Sequence, residues 1–433
     1  MSPAPGARIV TLTRHRGYFN EPSVAINPGN SQQVVVAYQT GARIAYSQDA
    51  GAHWRTADGT LPRHYAVSGD VSVAYDNRGH AFLCYIAFDK LGTENYWGHN
   101  ATRNGVFVRR SLNGGQTWER PAVPVFKHPT KPGIPFEDKP YIVADNTHGP
   151  YSGNLYVGWT QFTLTHSVIL FSRSVDDGAT WSKPIRISTQ AGLPRDDNGS
   201  VEGFSGVVGA DGTLYVVWAG GTHLVFTYSK DGGRTFAPSR GLIPIAPPYF
   251  HISNIDRTDG FPSVSIDPHG ANGAGLLYVT WSDYRNGDVD VFCSTSSDRG
   301  QTWTPAVRVN SDAIHDGLDQ FFQWLAVDPV TGAANIVFYD RRNDPDNQKA
   351  DVVLAQSTDH GRTFHNYLWM GESFDPNNDF IGDYTGIAAY NGRVYGAWTE
   401  ERPRSVRHQA GSPLHRTVVR VGIADFSRPG NSH

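Results

Sequence analysis

One outline recurs six times along the chain: Ser, any residue, Asp (Asn113 in the second copy), any residue, Gly, two residues, then Trp or Phe. The copies are SQDAGAHW from Ser47, SLNGGQTW from Ser111, SVDDGATW from Ser174, SKDGGRTF from Ser229, SSDRGQTW from Ser296 and STDHGRTF from Ser357. Successive serines stand 64, 63, 55, 67 and 61 residues apart. A supersecondary unit repeated at this period has to be read as an array, with each copy burying a face against its neighbours.

Each motif closes a run of β-branched and aromatic residues: ARIAYS, GVFVRRS, SVILFSRS, HLVFTYS, DVDVFCSTS and ADVVLAQS. The motif therefore ends a strand and opens a hairpin. Its Asp can accept from turn amides, its Gly tolerates positive φ, and its aromatic can fold back into the core. A second apolar strand precedes each of these, and a third precedes that, opening on an acidic residue: Glu21, Asp70, Glu137, Glu202, Asp259, Asp319 and Asp383. There are seven such openings, one more than the motifs. The seventh unit ends without a motif, and ARIVTLTR at residues 7–14 is a strand with no unit of its own. Pairing it as the outer strand of the last unit closes a ring and removes two exposed edges.

The expected fold is all-β: a seven-bladed β-propeller of four-stranded antiparallel blades, closed by the N-terminal strand, with six blades as the alternative count. Residues 1–433 form one propeller domain, with blades at about 20–66, 69–128, 137–190, 200–247, 259–312, 319–375 and 381–426 plus strand 7–14.

Composition excludes some partners. Net charge is −4 with no basic run, which draws the chain to neither nucleic acid nor an anionic membrane. Cys84 and Cys293 stand in apolar strands of different units and read as buried thiols. The segment MSPAPGARIV has neither the charged start nor the apolar stretch of a signal peptide, so the chain reads as cytoplasmic as written, or secreted if a leader has been removed.

In a four-stranded meander the start of strand one and the end of strand two share a face, and the third hairpin lies opposite. The motifs then sit at the bottom, and the acidic openings gather round the top of the channel. Glu21, Asp70, Glu137, Asp319 and Asp383, with Tyr384 beside the last, are the candidate catalytic residues. Strand-two ends bring Arg285, Arg342 and Arg402 to the same face as substrate-binding candidates, with Gln320 next to Asp319. Long top-side connections at 90–104, 244–259 and 401–416 add Trp97 and His251 as pocket walls. Crowded carboxylates raise one another's pKa, which suits a general acid. No cofactor is required, and the repulsion can be relieved by the arginines or by a Ca²⁺ or Mg²⁺ at the acidic mouth. Trp159, Trp218, Trp281 and Trp398, inside apolar strands, read as core between blades.

The repeated outline resembles the Asp-box, or BNR, repeat of the sialidase superfamily, over nearly the whole chain. That resemblance implies a propeller, of six blades in sialidases, and a site with three substrate-clamping arginines, a Tyr nucleophile paired with a Glu, and an Asp acid/base. Here GYFNEPSVAINP occupies the place of the first arginine's signature, with Asn20 and Glu21 where that arginine stands. Arg285, Arg342 and Arg402 form the replacement trio, and Tyr384 is the nearest match to the nucleophile. The leading reading is a sialidase-like glycoside hydrolase acting on an acidic or polyhydroxylated small molecule or glycan. The alternatives are a noncatalytic propeller binding carbohydrate or protein, and a biosynthetic enzyme using the pocket for dehydration or cyclisation.

Overall fold

The computed structural model of the chain describes residues 1–13, 17–57, 59, 61–90, 101–247, 252–273, 275–369, 373–378, 380–401 and 417–427. Its strands form seven separate antiparallel sheets arranged as the blades of a propeller. Blade 1 holds β3 (Ser23–Ile26), β4 (Val34–Tyr38), β5 (Arg43–Ser47) and β6 (Arg55–Ala57). Blade 2 holds β7 (Val67–Tyr75), β8 (Ala81–Phe88), β9 (Asn104–Ser111) and β10 (Val123–Lys127). Blade 3 holds β11 (Phe136–Ala144), β12 (Leu155–Phe162), β13 (Ser167–Ser174) and β14 (Ile185–Arg186). Blade 4 holds β15 (Val201–Val208), β16 (Leu214–Gly220), β17 (His223–Ser229) and β18 (Arg240–Pro244). Blade 5 holds β19 (Ser263–Asp267), β20 (Leu276–Asp283), β21 (Asp290–Ser296) and β22 (Val307–Arg308). Blade 6 holds β23 (Gln320–Val327), β24 (Ala334–Asp340), β25 (Asp351–Ser357) and β26 (His365–Leu368). Blade 7 holds β27 (Gly386–Tyr390), β28 (Arg393–Glu401), β29 (Thr417–Asp425) and, from the other terminus, β2 (Arg8–Thr11).

The ring closes as the terminal segments imply, with Arg8–Thr11 antiparallel to Arg420–Ile423. One pairing was not legible in the sequence: β1 (Ser2–Pro3) runs parallel to β26, making blade 6 five-stranded. A single N-terminal segment thus staples blades 6 and 7. Seven apolar clusters fill the seven interblade gaps, from Val35, Val73 and Leu83 between blades 1 and 2 round to Val36, Ala397 and Val421 between blades 7 and 1. Each sheet is apolar on both faces because each is sandwiched, which is why β4, β8, β12 and β20 read as near-continuous hydrophobic runs. Cys84 and Cys293 are buried free thiols in these cores, and burial raises both pKa values, that of Cys293 to about 12. Among the described residues no helix is long and apolar enough to cross a membrane.

The six motifs are self-contained turns. In the third, Ser174 Oγ donates to Asp176 Oδ1 at 2.8 Å and accepts from Gly178 N at 2.9 Å. Asp176 in turn accepts from Thr180 N at 2.9 Å and Thr180 Oγ1 at 2.6 Å. Gly178 sits at φ +79°, where a side chain is strained. At Trp54, Trp118 and Trp303 the indole donates back to the motif glycine's carbonyl, as to Gly115 O at 2.9 Å, whereas the Trp181 indole has no partner among the described residues. Ser174→Ala removes the hydroxyl and leaves a buried amide unpaired, so it is expected to cost about 2 kcal/mol. A lowered urea midpoint at unchanged slope checks this.

Candidate functional site

Four inner strands carry a β-bulge at the same level: between Gly69 and Ser72, Asp138 and Tyr141, Glu202 and Ser205, and Phe321 and Trp324. The bulged residues Asp70, Lys139, Gly203 and Phe322 have φ of 46°, 44°, 79° and 53°. Left-handed backbone at three non-glycine residues is strain that the surrounding structure must hold, and a bulge re-aims side chains. In blades 2 and 3 the bulges bring Asp70 and Lys139 together in the hub, whereas Phe322 packs into the core between blades 6 and 7.

At its centre stands Lys139. Its Nζ lies 2.6 Å from Asp383 Oδ2, 3.4 Å from Glu202 Oε1 and 3.8 Å from Asp196 Oδ2. Arg257 donates from Nε to Asp383 Oδ1 at 2.7 Å, from NH2 to Asp383 Oδ2, and pairs with Asp196 at 2.7 Å. Its guanidinium covers the Phe380 ring at 4.7 Å. Asp70 accepts from Lys139 N at 2.8 Å, and Glu21 accepts from Asp383 N at 3.3 Å. Asp138 lies within the field of Asp70, and Asp259 within the fields of Asp383 and Lys139. Among the described residues, seven carboxyl groups, Glu21, Asp70, Asp138, Asp196, Glu202, Asp259 and Asp383, therefore share two cations.

That imbalance separates their pKa values. Burial pushes Asp383 up, but Arg257 and Lys139 overcome it and hold the group at about 2. Burial and then Asp383 raise Glu21 to about 7, and burial and then Glu21 raise Asp70 to about 7. Burial foremost carries Asp138, Glu202 and Asp259 well above the ordinary range. Lys139 is the reverse case: burial lowers it, and Asp196, Asp383, Asp138 and Glu202 more than offset this. Tyr384 donates to Val71 O at 3.4 Å, and burial, Glu21 and Asp70 hold its hydroxyl well above the usual tyrosine range. Below the carboxyl groups a cavity is walled by Tyr141, Phe204, Phe261, Trp324 and Tyr384, with Lys139 at its edge.

Of the residues the sequence singled out, Glu21, Asp70, Asp383 and Tyr384 are brought together. Glu137 and Asp319 do not face the channel, which corrects the expectation that all seven acidic openings gather there. Glu137 is one residue ahead of its bulge's first position, so its carboxylate turns into blade 3. There it accepts from Trp159 Nε1 and His128 Nε2 at 2.5 Å and Gln161 Nε2 at 2.8 Å. Asp319 accepts from Val289 N at 3.0 Å and Asn347 Nδ2 at 2.7 Å, tying blade 5 to blade 6. Gln320 is fully buried and bonded to Asn310. Arg285 and Arg342 are each paired within their own blade, to Asp283 at 2.5 Å and Asp340 at 2.6 Å. They form no common clamp. Arg402, Trp97 and His251 lie outside the described residues. Asp138, Asp196 and Glu202 present oxygens within 4.8 Å of one another and are the described residues placed to hold a cation, in company with the Lys139 ammonium.

Four groups of this hub were missed: Asp138, Lys139, Asp196 and Arg257. The signal for Asp138 and Lys139 was present in EDKPY, whose alignment on SGDVS and VEGFS places Lys139, Asp70 and Gly203 in register. Nothing local marked Asp196 or Arg257, which reach the hub from connections.

No family model matches the chain. A sialidase of Bacteroides fragilis (strain YCH46) is 26% identical over 224 residues, covering 46% of this chain and 37% of the relative. A xyloglucanase of a Paenibacillus species is 24% identical over 328 residues, covering 73% of this chain and 23% of the relative. The chain spans about a third and about a quarter, respectively, of the lengths of these curated relatives. The resemblance is to the sialidase superfamily. Among solved structures, the phage phi92 endosialidase matches with a TM-score of 0.53 at 10% identity, over 99% of this chain and 70% of that one, a likeness of fold. With these relatives the chain has a glycoside-hydrolase-like propeller. Against what the sialidase superfamily implies for a site, Asn20 donates to Phe380 O at 3.4 Å where the first clamp arginine is expected. Two members of the replacement trio are engaged elsewhere.

Proposed function

We propose that the chain is a glycoside hydrolase-type enzyme acting on a neutral, polyhydroxylated substrate at the hub. The observation that carries this is the opposite displacement of neighbouring carboxyl groups: Asp383 held at about 2, and Glu21 and Asp70 raised to about 7. Glycosidic cleavage uses such a pair, one carboxylic acid to protonate the leaving oxygen and one carboxylate to stabilise or trap the oxocarbenium-like centre. Glu21 or Asp70 supplies the proton, Asp383 the negative charge, and Lys139 and Arg257 keep Asp383 ionised and oriented. Substrate charge follows from how the described cations are engaged: Arg285 and Arg342 are each paired within their own blade and Lys139 and Arg257 with the hub carboxylates, so none of these four is left to clamp an anionic sugar.

A panel of fluorogenic glycosides tests the reading. Turnover of a neutral glycoside without turnover of a sialoside is expected; silence across the neutral panel, or a preference for the sialoside, overturns it. The active enzyme's kcat/KM is expected to fall as pH rises through about 7, where Glu21 and Asp70 lose their protons, and to hold down to about pH 4. A rate that climbs steadily from pH 6 to 8 contradicts the assignment.

A further inference from the structure

Away from the hub, between blades 3 and 4, lies a second cavity of about 460 Å³, within the range of about 300–1,000 Å³ usual for ligand pockets. Ser188, Gln190, Val201, Trp218, His223 and Arg240 are among its lining residues, none of which is acidic. In a chain with 41 Asp and Glu that selection is itself informative.

The floor shows what is missing. In blades 3, 5 and 7 the buried strand-two tryptophan donates its indole N–H to a carboxylate: Trp159 to Glu137 at 2.5 Å, Trp281 to Asp283 at 3.2 Å, Trp398 to Glu400 at 2.6 Å. In blade 3 the acceptor stands on β11, in register with Gln161 two residues past the tryptophan. The same pair in blade 4 is Val201 and Gly220. Neither has an acceptor side chain, and a Cβ on Gly220 would meet Val225 Cγ2 at 2.4 Å. Trp218 is 1% exposed, and no described residue accepts from its indole N–H. Trp218, Val201 and Gly220 all border the cavity.

We propose that this cleft binds a carboxylate-bearing ligand of monosaccharide size, such as a uronic acid, whose carboxylate takes from Trp218 Nε1 the bond that a side-chain carboxylate takes in the other three blades. No described carboxylate lines the cleft to repel such a ligand, the Arg240 guanidinium at its border donates to Gly300 O and Gln301 O, and a bond to an ionised acceptor is stronger than one to a neutral acceptor. The site is independent of the hub and of the reaction proposed there.

Titration of the ¹⁵N-labelled protein with glucuronate, with glucose as the neutral control, tests the proposal through the eleven indole N–H resonances. Trp218→Phe identifies the resonance of interest. It is expected to shift with glucuronate and to stay in place with glucose, and the variant's affinity to fall at least tenfold. Val201→Glu copies Glu137 into blade 4, supplies the acceptor internally, and is expected to shift the same resonance without ligand and abolish glucuronate binding. Equal response to both sugars, or a Trp218 resonance unmoved by saturating glucuronate in the wild-type protein, overturns the proposal.

Discussion

Asp383→Asn is expected to lower kcat/KM toward the best neutral glycoside by about a thousandfold, the scale of removing a positioned charge or acid–base group. The substitution keeps shape and removes charge. Lys139 and Arg257 lose the carboxylate both hold most closely, but each retains Asp196 within 4.0 Å and Lys139 retains Glu202. The fold is therefore expected to survive, with a proton leaving one of the raised carboxyls to restore local balance. Steady-state kinetics alongside thermal unfolding separate the two effects. Activity within a fewfold of wild type, in a folded variant, removes Asp383 from the chemistry.

Lys139→Met is expected to be the most damaging single change to stability, about 3–5 kcal/mol at pH 8, because removing one partner leaves buried charge without compensation. Against a total of about 5–15 kcal/mol this is enough to unfold much of the population. The sign of its pH dependence is fixed by the hub. Glu21 and Asp70 have folded pKa values of about 7, above unfolded values of about 4, so the stability tied to their protonation is full below about pH 4 and lost as pH rises through 7. Asp383, depressed to about 2, contributes stability present above about pH 4 and lost as pH falls toward 2. Without Lys139 the carboxyls are raised further, and the loss with rising pH starts earlier and goes deeper. The deficit in urea unfolding is expected to be largest at pH 8 and to shrink toward pH 5. A deficit equal at both contradicts the charge account and leaves only lost packing.

The blade count and the ring closure were legible because they are written redundantly: seven acidic openings, six turns and one orphan strand require the same arrangement. Interblade burial of the tryptophans followed from apolar neighbours alone. The hub was legible only in part, and the reason is register. Side chains alternate along a strand, so a one-residue offset sends Glu137 to Trp159 while Asp138 and Lys139 turn inward. A bulge decides that offset, and it rests on backbone geometry that Asp70, Lys139 and Phe322 adopt without a glycine to announce it. Arg257 and Asp196 come from connections whose course no periodicity encodes. Arg285 and Arg342 were placed on the correct face, yet each had an aspartate two residues earlier, Asp283 and Asp340, ready to pair with it.

The separation of protonation states at the hub is the claim on which the rest depends. A ¹³C-detected titration of the side-chain carboxyls reads it directly, with Glu21→Gln, Asp70→Asn and Asp383→Asn to assign the signals. Asp383 is predicted to stay ionised from pH 4 to 8 while Glu21 and Asp70 keep their protons until about pH 7. Titration of all three together between about pH 3.5 and 4.5, as in ordinary exposed carboxylates, contradicts it.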